Sequence, residues 1–273
     1  MKSKSKISNP KSPRSPVPPF AHSPIPSSAP LAYLSAIRSI LDHLEKTQLP
    51  QIDRAADLVI HALTHKGAVW CAEIGHSTQN DFINRAGGLA AVQSFAQGFT
   101  VSETISDALK DRSRGENVER DLETIRHAIR VSQLRAGDVL LVGSVSGKNR
   151  APVELALACR AIGMKIVGFT SLTYTAKVES LHPSKKKLCD VVDVAIDNGA
   201  PHGDAAVEIA GIEHKVLPVS GVAMDVAGWM LWARVMEKMS DAGNPPTTFQ
   251  SINRAGGKAA YDKALAQYNQ RGY

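Results

Sequence analysis

The sequence is poor in cysteine and has no long apolar run. Its 273 residues include three cysteines, Cys71, Cys159 and Cys189, which are odd in number and follow no metal-binding spacing. A disulfide scaffold is therefore excluded, and free thiols in a reducing cytoplasm are expected. No apolar run approaches the roughly 20 residues that a membrane-spanning helix needs, so we expect no membrane partner.

Acidic residues are absent from the first 41 positions. Segment 1–30 carries five positive side chains, so setting it aside lowers the formal net charge from +6 to +1. The charge therefore gives little reason to expect a nucleic-acid partner. The same segment holds eight of the fifteen prolines, which predicts a disordered Ser/Pro/Lys-rich tail. A domain over 31–250 and a helical extension over 251–273 are predicted to follow.

Apolar runs alternate with helical patterns after the first two predicted helices. The runs are continuously apolar, as in parallel strands that are covered by helices on both faces. Strands are predicted at 68–74, 90–95, 139–143, 165–169 and 191–196, with an edge strand over 213–219. Helices are predicted at 34–44, 53–65, 78–85, 116–133 and 221–239. The expected fold is α/β, a three-layer αβα sandwich around a parallel sheet.

One apolar run ends in a loop that suits an anion. In segment 138–150, DVLLVGSVSGKNR, serines and glycine follow the run, and Pro152 then marks a helix start. A loop between a strand and a helix N-terminus presents backbone N–H groups and the helix dipole to an anion. Ser144 and Ser146 can donate to phosphate oxygens, and Gly147 permits close approach of the backbone. The alternative is that the serines only cap the helix.

Two further strands end in hydroxyl-rich loops. The loop EIGHST at 73–78 follows the first strand, and Thr170 and Ser171 follow the strand at 165–169. Because the carboxyl ends of parallel strands line one crevice, the three loops are expected to meet there. His76 in the first loop either serves a ligand, by binding phosphate or moving a proton, or is a capping or exposed residue.

Several motifs together resemble the SIS (sugar isomerase) domain, and within it a group of bacterial proteins that mostly have no assigned reaction. The matching segments are GHS at 75–77, RAGGL at 85–89, RAGDVL at 135–140, SVSGKN at 144–149, HPSK at 182–185, DNGAP at 197–201 and GD at 203–204. The resemblance spans roughly residues 31 to 251. It implies phosphosugar binding on a flavodoxin-like fold, without specifying a reaction.

The loops and the resemblance together nominate the ligand-binding residues. These are Gly75, His76, Ser77, Ser144, Ser146, Gly147, Asn149, Thr170, Ser171, Asn198 and Asp204. No metal-binding spacing is present, and we expect neither a metal nor another cofactor. A homodimer or a dimer of dimers is expected, since SIS domains usually pair and the helices at 34–44 and 222–239 have wide apolar surfaces.

Aldose–ketose isomerisation needs a base that moves a proton between adjacent carbons. Glu103, His182 and Glu73 are the candidates. Glu103 can equally be a first-turn helix carboxylate, and His182 a turn residue before Pro183. Glu73 stands where the family has glycine, and its charge would oppose a phosphate. It either turns away from the ligand, carries protons, or indicates a different ligand.

The hexapeptide INRAGG occurs twice, at 83–88 and at 252–257, in flanking sequences that do not match. Both copies suit helix ends that are capped by glycine. Whether their arginines meet the same ligand is left open by the sequence.

Three functions stay open at this point. The first hypothesis is an aldose–ketose phosphosugar isomerase. The second is a non-catalytic sugar-phosphate sensor or regulatory binding protein, and the third is a lyase or etherase that acts on an amino-sugar phosphate.

Overall fold

The computed structural model describes residues 28–75, 79–112 and 119–273. Side chains are described for all of these except 73–75 and 79–80. The predicted tail therefore lies almost wholly outside the described residues. Among the described residues, no helix is both long and apolar enough to cross a bilayer.

Five parallel strands form the centre of the molecule. They are β1 (Val69–Gly75), β2 (Val92–Phe95), β3 (Val139–Gly143), β4 (Lys165–Thr170) and β5 (Val194–Asp197). Their order across the sheet is β2-β1-β3-β4-β5, with all four pairings parallel. This is the flavodoxin-like strand order, so the predicted α/β class and sheet are confirmed.

Helices lie on both faces of the sheet. The described helices are α1 (Ala29–Thr47), α2 (Leu49–Thr64), α3 (Gln79–Phe82), α4 (Arg120–Val131), α5 (Arg150–Ala161), α6 (Leu172–Thr175), α7 (Leu188–Val191), α8 (Ser220–Asp241) and α9 (Gly257–Arg271), with a 3₁₀ turn at Asp107–Leu109. Alternate residues of β3 face opposite layers: Val139 and Leu141 face α1, α2 and α8, whereas Leu140 and Val142 face α4, α5 and α7. The sheet is buried on both faces, which is why its strands read as continuous apolar runs.

Two strand predictions need correction. The segment 213–219 does not extend the main sheet, because its strand β7 (Val216–Pro218) pairs antiparallel with β6 (Ala205–Val207) in a separate two-stranded sheet. The predicted strand at 191–196 starts later, at Val194, since α7 occupies the preceding residues. Leu188 and Val191 are both buried at a helical spacing of three, and an apolar run alone does not distinguish this pattern from a strand.

The chain after α8 returns to the opposite edge of the sheet. Thr248 pairs antiparallel with Leu89, just ahead of β2. α9 then packs beside this contact through Ala264, which is buried with Ala90 and Phe249. The predicted extension 251–273 is thus mostly one helix, and its separation from the domain stays a prediction.

Candidate functional site

The C-terminal ends of β3, β4 and β5 hold three loops side by side. The Ser144 N–H donates to the Phe169 carbonyl at 2.9 Å, and the Ser171 N–H donates to the Val145 carbonyl at 2.9 Å. The Asn198 N–H donates to the Thr170 carbonyl at 3.0 Å. We call residues 144–149, 170–175 and 197–204 the crevice loops. Their backbones are tied to one another at the edge where a ligand of this fold binds.

The loop 144–149 leaves two serine hydroxyls without a protein partner. Ser144 is 2 % exposed and Ser146 is 9 % exposed, yet neither hydroxyl takes part in a hydrogen bond within the described part of the chain. The loop runs directly into α5, whose N-cap residue Asn149 makes no side-chain capping bond. Neither hydroxyl is among the fully buried unpartnered atoms of the described residues, so both are open to solvent. Two serine hydroxyls and an uncapped helix N-terminus therefore present donors to an anion.

Gly147 is required by the loop for two reasons. Its φ is +63°, in the left-handed region that favours glycine. A Cβ there would lie 3.0 Å from the Thr175 hydroxyl and 3.1 Å from the Thr170 hydroxyl. The sequence predicted that Gly147 lets a ligand approach the backbone, and the structure adds that two threonines pack against it.

The other predicted hydroxyls hold the crevice loops together. The Thr170 hydroxyl donates to the Val145 carbonyl at 3.2 Å and lies 3.1 Å from the hydroxyl of Thr175, which in turn donates to the Ser146 carbonyl at 3.0 Å. The Ser171 hydroxyl donates to the Ala200 carbonyl at 2.6 Å and accepts from the Tyr174 N–H. All of these hydroxyls are buried. Ligand contact by Thr170 or Ser171 stays a prediction, and it would require breaking these bonds.

Asn198 and Asp204 also make structural contacts in the loop after β5. The Asn198 side-chain oxygen accepts from the Ala200 N–H at 3.1 Å, while its side-chain nitrogen is buried without a partner among the described residues. Asp204 accepts from both the N–H and the hydroxyl of Ser220, at 2.9 and 2.7 Å, at the start of α8. Asp204 thus holds the start of α8, and ligand contact by Asp204 stays a prediction.

His182 lies in a buried polar cluster beside α5. Its Nε2 is 2.8 Å from Glu154 Oε2 and its Nδ1 is 2.7 Å from the Ser184 hydroxyl, and both His182 and Glu154 have 4 % exposed side chains. Arg126 donates to the same carboxylate at 2.6 Å. Burial acts to raise the pKa of Glu154, but the hydrogen bonds from Arg126 and His182 outweigh it and leave that pKa below its ordinary value. Both ring nitrogens are thus engaged, and proton transfer by His182 stays a prediction.

Glu103 lies on the connection that follows β2. It is exposed, and the 3₁₀ turn at Asp107–Leu109 follows it. A cavity of about 650 Å³ lies between this connection and the N-terminal ends of α4 and α5, lined by Gln97, Phe99, Arg120 and Ala151 among others. Residues after β2 and at the start of α5 thus line one cavity. Glu103 is not among the residues that line it, and its role as a proton carrier stays a prediction.

Comparison with known proteins places this geometry in a family. The family model described as "SIS domain" matches residues 32–171, about half of the chain. A UPF0309 protein of Halalkalibacterium halodurans is 33 % identical over 243 residues, which cover 86 % of this chain and 96 % of that protein. The chain belongs to the SIS-domain family. A UPF0309 protein of Caldanaerobacter subterraneus is 32 % identical and covers 88 % of this chain and 97 % of its own length.

Solved structures with a similar fold are more distant from this SIS domain. The phosphoheptose isomerase GmhA from Neisseria gonorrhoeae has 16 % identity and a TM-score of 0.48, and the match covers 77 % of this chain and 96 % of that one. The sugar isomerase domain of an RpiR transcription factor from Sphaerobacter thermophilus has 13 % identity and a TM-score of 0.45, covering 88 % and 97 %.

The first loop of the SIS domain is described only at its start. Gly75 ends β1, where it pairs with Gly143 across an irregularity in the strand register. The predicted roles of His76 and Ser77 fall outside the described residues, and so does the side chain of Glu73. The three alternatives for Glu73 therefore stay predictions.

Sequence reasoning about the SIS domain missed Asp225 on α8. Its Oδ1 atom is buried and has no hydrogen-bond partner among the described residues. Burial, together with the charge of Asp81, raises the pKa of Asp225 to about 6. A lone carboxylate within the apolar helix pattern at 222–232 is the signal that could have identified it.

No metal centre is evident in the described part of the SIS domain. Within the ranges 28–75, 79–112 and 119–273, no group of three or more His, Cys, Asp or Glu side chains is arranged to hold an ion. The three cysteines form no disulfide within the described residues, and burial raises the pKa of Cys71 and Cys159 to about 12 in each case. These two thiols are therefore protonated and unsuited to nucleophilic chemistry at neutral pH.

Proposed function

We propose that this SIS domain binds a phosphorylated sugar with its phosphate on the loop 144–149, and that it is an aldose–ketose phosphosugar isomerase. The observation that carries the proposal is the pair of buried serines, Ser144 and Ser146, next to the uncapped start of α5, whose hydroxyls have no partner among the described residues. A phosphate there would accept from both hydroxyls and from backbone N–H groups. The half-buried Lys148 lies in the same loop and adds a positive charge.

The neighbouring hydroxyls support this assignment by contrast. Thr170, Ser171 and Thr175 all use their hydroxyls within the protein. A loop that needed only internal bonding would use Ser144 and Ser146 in the same way. The N-cap alternative has no support, because the N-cap position is Asn149 and it makes no side-chain bond to α5.

Glu103 is the proton carrier that we propose first, since it is exposed on the connection after β2. His182 would then act by positioning, as its two ring nitrogens are held by Ser184 and Glu154. The engagement of His182 also favours a second candidate, a sugar-phosphate sensor that binds without turnover. A sensor needs the phosphate loop but no mobile proton at C1 or C2.

The test of binding uses two serines that differ in their structural roles. Isothermal titration would measure pentose, hexose and heptose phosphates and the corresponding free sugars on the Ser146→Ala and Ser171→Ala variants. We expect Ser146→Ala to weaken phosphosugar binding by about tenfold to a hundredfold, as loss of a charged hydrogen bond implies. Ser171→Ala should mainly lower stability, because its hydroxyl bonds Ala200. Unchanged affinity in Ser146→Ala would remove the loop from the site.

The test of catalysis follows with the sugar phosphate that binds best. An isomerase in D₂O incorporates deuterium at the carbon that loses and regains its proton, and NMR detects this directly. Glu103→Gln should abolish the incorporation while leaving affinity within about threefold, since the role is proton transfer rather than binding. A ligand that binds to the wild-type protein without any exchange would instead identify a sensor.

We also propose that the protein is a cytoplasmic homodimer or dimer of dimers. Leu34 and Leu41 on α1 and Val222 on α8 are exposed apolar residues, and unpartnered apolar surface of this kind is typical of subunit contacts. Three cysteines without a disulfide among the described residues suit a reducing compartment. Light scattering that reports a monomer at micromolar concentration would contradict the assembly.

A further inference from the structure

The two copies of the hexapeptide INRAGG form the same turn. In the first copy the Gly88 N–H donates to the Arg85 carbonyl at 2.9 Å, and in the second the Gly257 N–H donates to the Arg254 carbonyl at 2.9 Å. The third turn residue is a left-handed glycine in both copies, with φ of +81° at Gly87 and +71° at Gly256. The last four residues of the repeat therefore share one turn, although Asn84 is left-handed, with φ of +57°, and Asn253 is not. The prediction that both copies are helix ends capped by glycine is wrong, because α3 ends at Phe82 and the second copy precedes α9.

The turn explains why the glycines are repeated. Left-handed φ favours Gly87 and Gly256. The glycine that follows is required in both copies by space, because a Cβ would lie 3.1 Å from the Arg85 carbonyl oxygen in the first copy. In the second, it would lie 2.1 Å from the Ser251 carbonyl oxygen. The repeated arginine has no such structural reason, since neither guanidinium has a hydrogen bond or ion pair within the described part of the chain.

Residues of both INRAGG copies line one cleft, Asn84 to Ala86 from the first copy and Ile252 and Asn253 from the second. The Gly87 N–H donates to the Phe249 carbonyl at 2.8 Å and the Phe249 N–H donates to the Gly88 carbonyl at 3.0 Å, so the segments that carry the turns are bonded together. The cleft beside them has a volume of about 530 Å³. It lies beyond the edge strand β2, and none of the loop 144–149 lines it.

The side chains that line the cleft are basic or neutral. Its polar lining comprises Asn84, Arg85, Gln250, Asn253, Lys258 and Tyr261 together with Ser251, and no carboxylate is among the lining residues. Lys258 is paired with Asp262 outside the lining. Tyr261 donates to the Asn84 side-chain oxygen at 2.7 Å and stacks on Phe249 with ring centroids 4.7 Å apart. Amides, cations and one aromatic face thus surround a space of small-molecule size.

We propose that this cleft is a second ligand site, and that it takes a small phosphate-bearing metabolite. Arg85 and Lys258 would bind the phosphate, since a guanidinium fork and an ammonium are the usual side-chain partners of that group. The side chains of Asn84, Gln250 and Asn253 supply donors and acceptors for hydroxyl groups on the rest of the ligand. The start of α9, which Gly256 leaves without a side-chain cap, adds backbone donors next to Lys258.

The repeat itself provides a matched control for the test. Arg254 has the same position in its turn as Arg85, and it is exposed, yet it does not line the cleft. Lys263 is likewise an exposed lysine of α9 outside the lining. Isothermal titration of the full chain would use inorganic phosphate, ribose 5-phosphate and fructose 6-phosphate as probes. Each would be measured on wild type, Arg85→Ala, Arg254→Ala, Lys258→Ala, Lys263→Ala and Ser146→Ala.

We expect a phosphate-dependent binding event that Arg85→Ala and Lys258→Ala each weaken about tenfold or more, as loss of a charged hydrogen bond implies. Arg254→Ala, Lys263→Ala and Ser146→Ala should leave that event within about twofold. The Ser146 variant separates this site from the crevice, so the two proposals can fail independently. Equal weakening by Arg85→Ala and Arg254→Ala would show only general attraction by positive charge and would overturn the site.

Two further outcomes would also overturn the proposal. One is the absence, in the wild-type protein, of any binding event sensitive to Arg85 up to millimolar concentrations of all three probes. The other is a change of oligomeric state in Arg85→Ala, measured by light scattering, without a change in ligand affinity. That result would assign the cleft to a contact between two copies of the chain.

Discussion

The replacement Gly147→Ala tests how the loop 144–149 is built. The new methyl group would lie 3.0 Å from the Thr175 hydroxyl and 3.1 Å from the Thr170 hydroxyl. At least one of these hydroxyls must move, and its bond to the Ser146 or Val145 carbonyl then weakens. Each such bond contributes about 1 kcal/mol. The left-handed backbone, with φ of +63°, adds about 1–2 kcal/mol for a residue with a Cβ.

These contributions predict that Gly147→Ala lowers the free energy of unfolding by about 2–3 kcal/mol. Urea unfolding with an unchanged m value would measure it. Gly221→Ala is the control, because Gly221 lies in α8 with nothing within 4 Å of its added Cβ. Because Gly221 is in the first turn of α8, helix propensity contributes less than in a helix interior, and this variant should stay within about 0.5 kcal/mol of wild type.

A double-mutant cycle with Thr175→Ala identifies the cause of the loss. Removing the Thr175 side chain makes room for the methyl group, so Gly147→Ala should cost less in that background than in wild type. Equal costs in both backgrounds would mean that the backbone conformation alone accounts for the effect. A Gly147→Ala protein within about 0.5 kcal/mol of wild type would refute both arguments.

Two further predictions concern the carboxylates of Glu154, which is buried, and of Asp225, which has one buried oxygen. Glu154→Gln should lower stability by about 2 kcal/mol at pH 7, since it breaks a largely buried ion pair. The pKa of Glu154 is lowered from 4.5. The stability that ionised Glu154 contributes is therefore complete above pH 4.5 and is lost as the pH falls through the lowered pKa. The urea midpoints of the variant and the wild type should accordingly converge in acid. Asp225 has a pKa raised from 3.8 to about 6. Its ionised carboxylate therefore destabilises the folded protein, and this effect is complete at pH values above about 6. Asp225→Asn should therefore stabilise the protein at pH 8 by about 1–2 kcal/mol and not at pH 3.5; equal gains at both pH values would contradict the assignment.

Local sequence was sufficient to predict most of the sheet. The strands β3 and β4 were placed to within one residue, because a parallel strand that is buried on both faces has no polar position to interrupt its apolar run. The serine and glycine loop after β3 was predicted for the same reason, since the end of the run and the start of α5 are both visible in the chain. Failures occurred where an apolar run was short: α7 read as part of β5, and β7 as an edge of the main sheet.

The roles of individual polar side chains were decided only by the tertiary structure. Serines and threonines in three loops look alike in sequence. Ser171 nevertheless bonds to Ala200, 29 residues away, whereas the hydroxyls of Ser144 and Ser146 have no partner among the residues that the structure describes. His182 and Glu154 likewise meet across 28 residues. No local pattern encodes such contacts.

The sequence by itself determined the fold class and the strand that ends in the loop 144–149, because each depends on residues that are close together in the chain. It did not determine the INRAGG segments, which were predicted to end helices but form turns. Tertiary structure alone decided which hydroxyls stay available to a ligand and which side chains line the cleft. Arg85 and Lys258 are brought to that cleft only because the chain after α8 returns to pair Thr248 with Leu89. Hydrogen-bond partners and clefts depend on packing between distant segments, and this packing is specified by the whole sequence rather than by any one stretch of it.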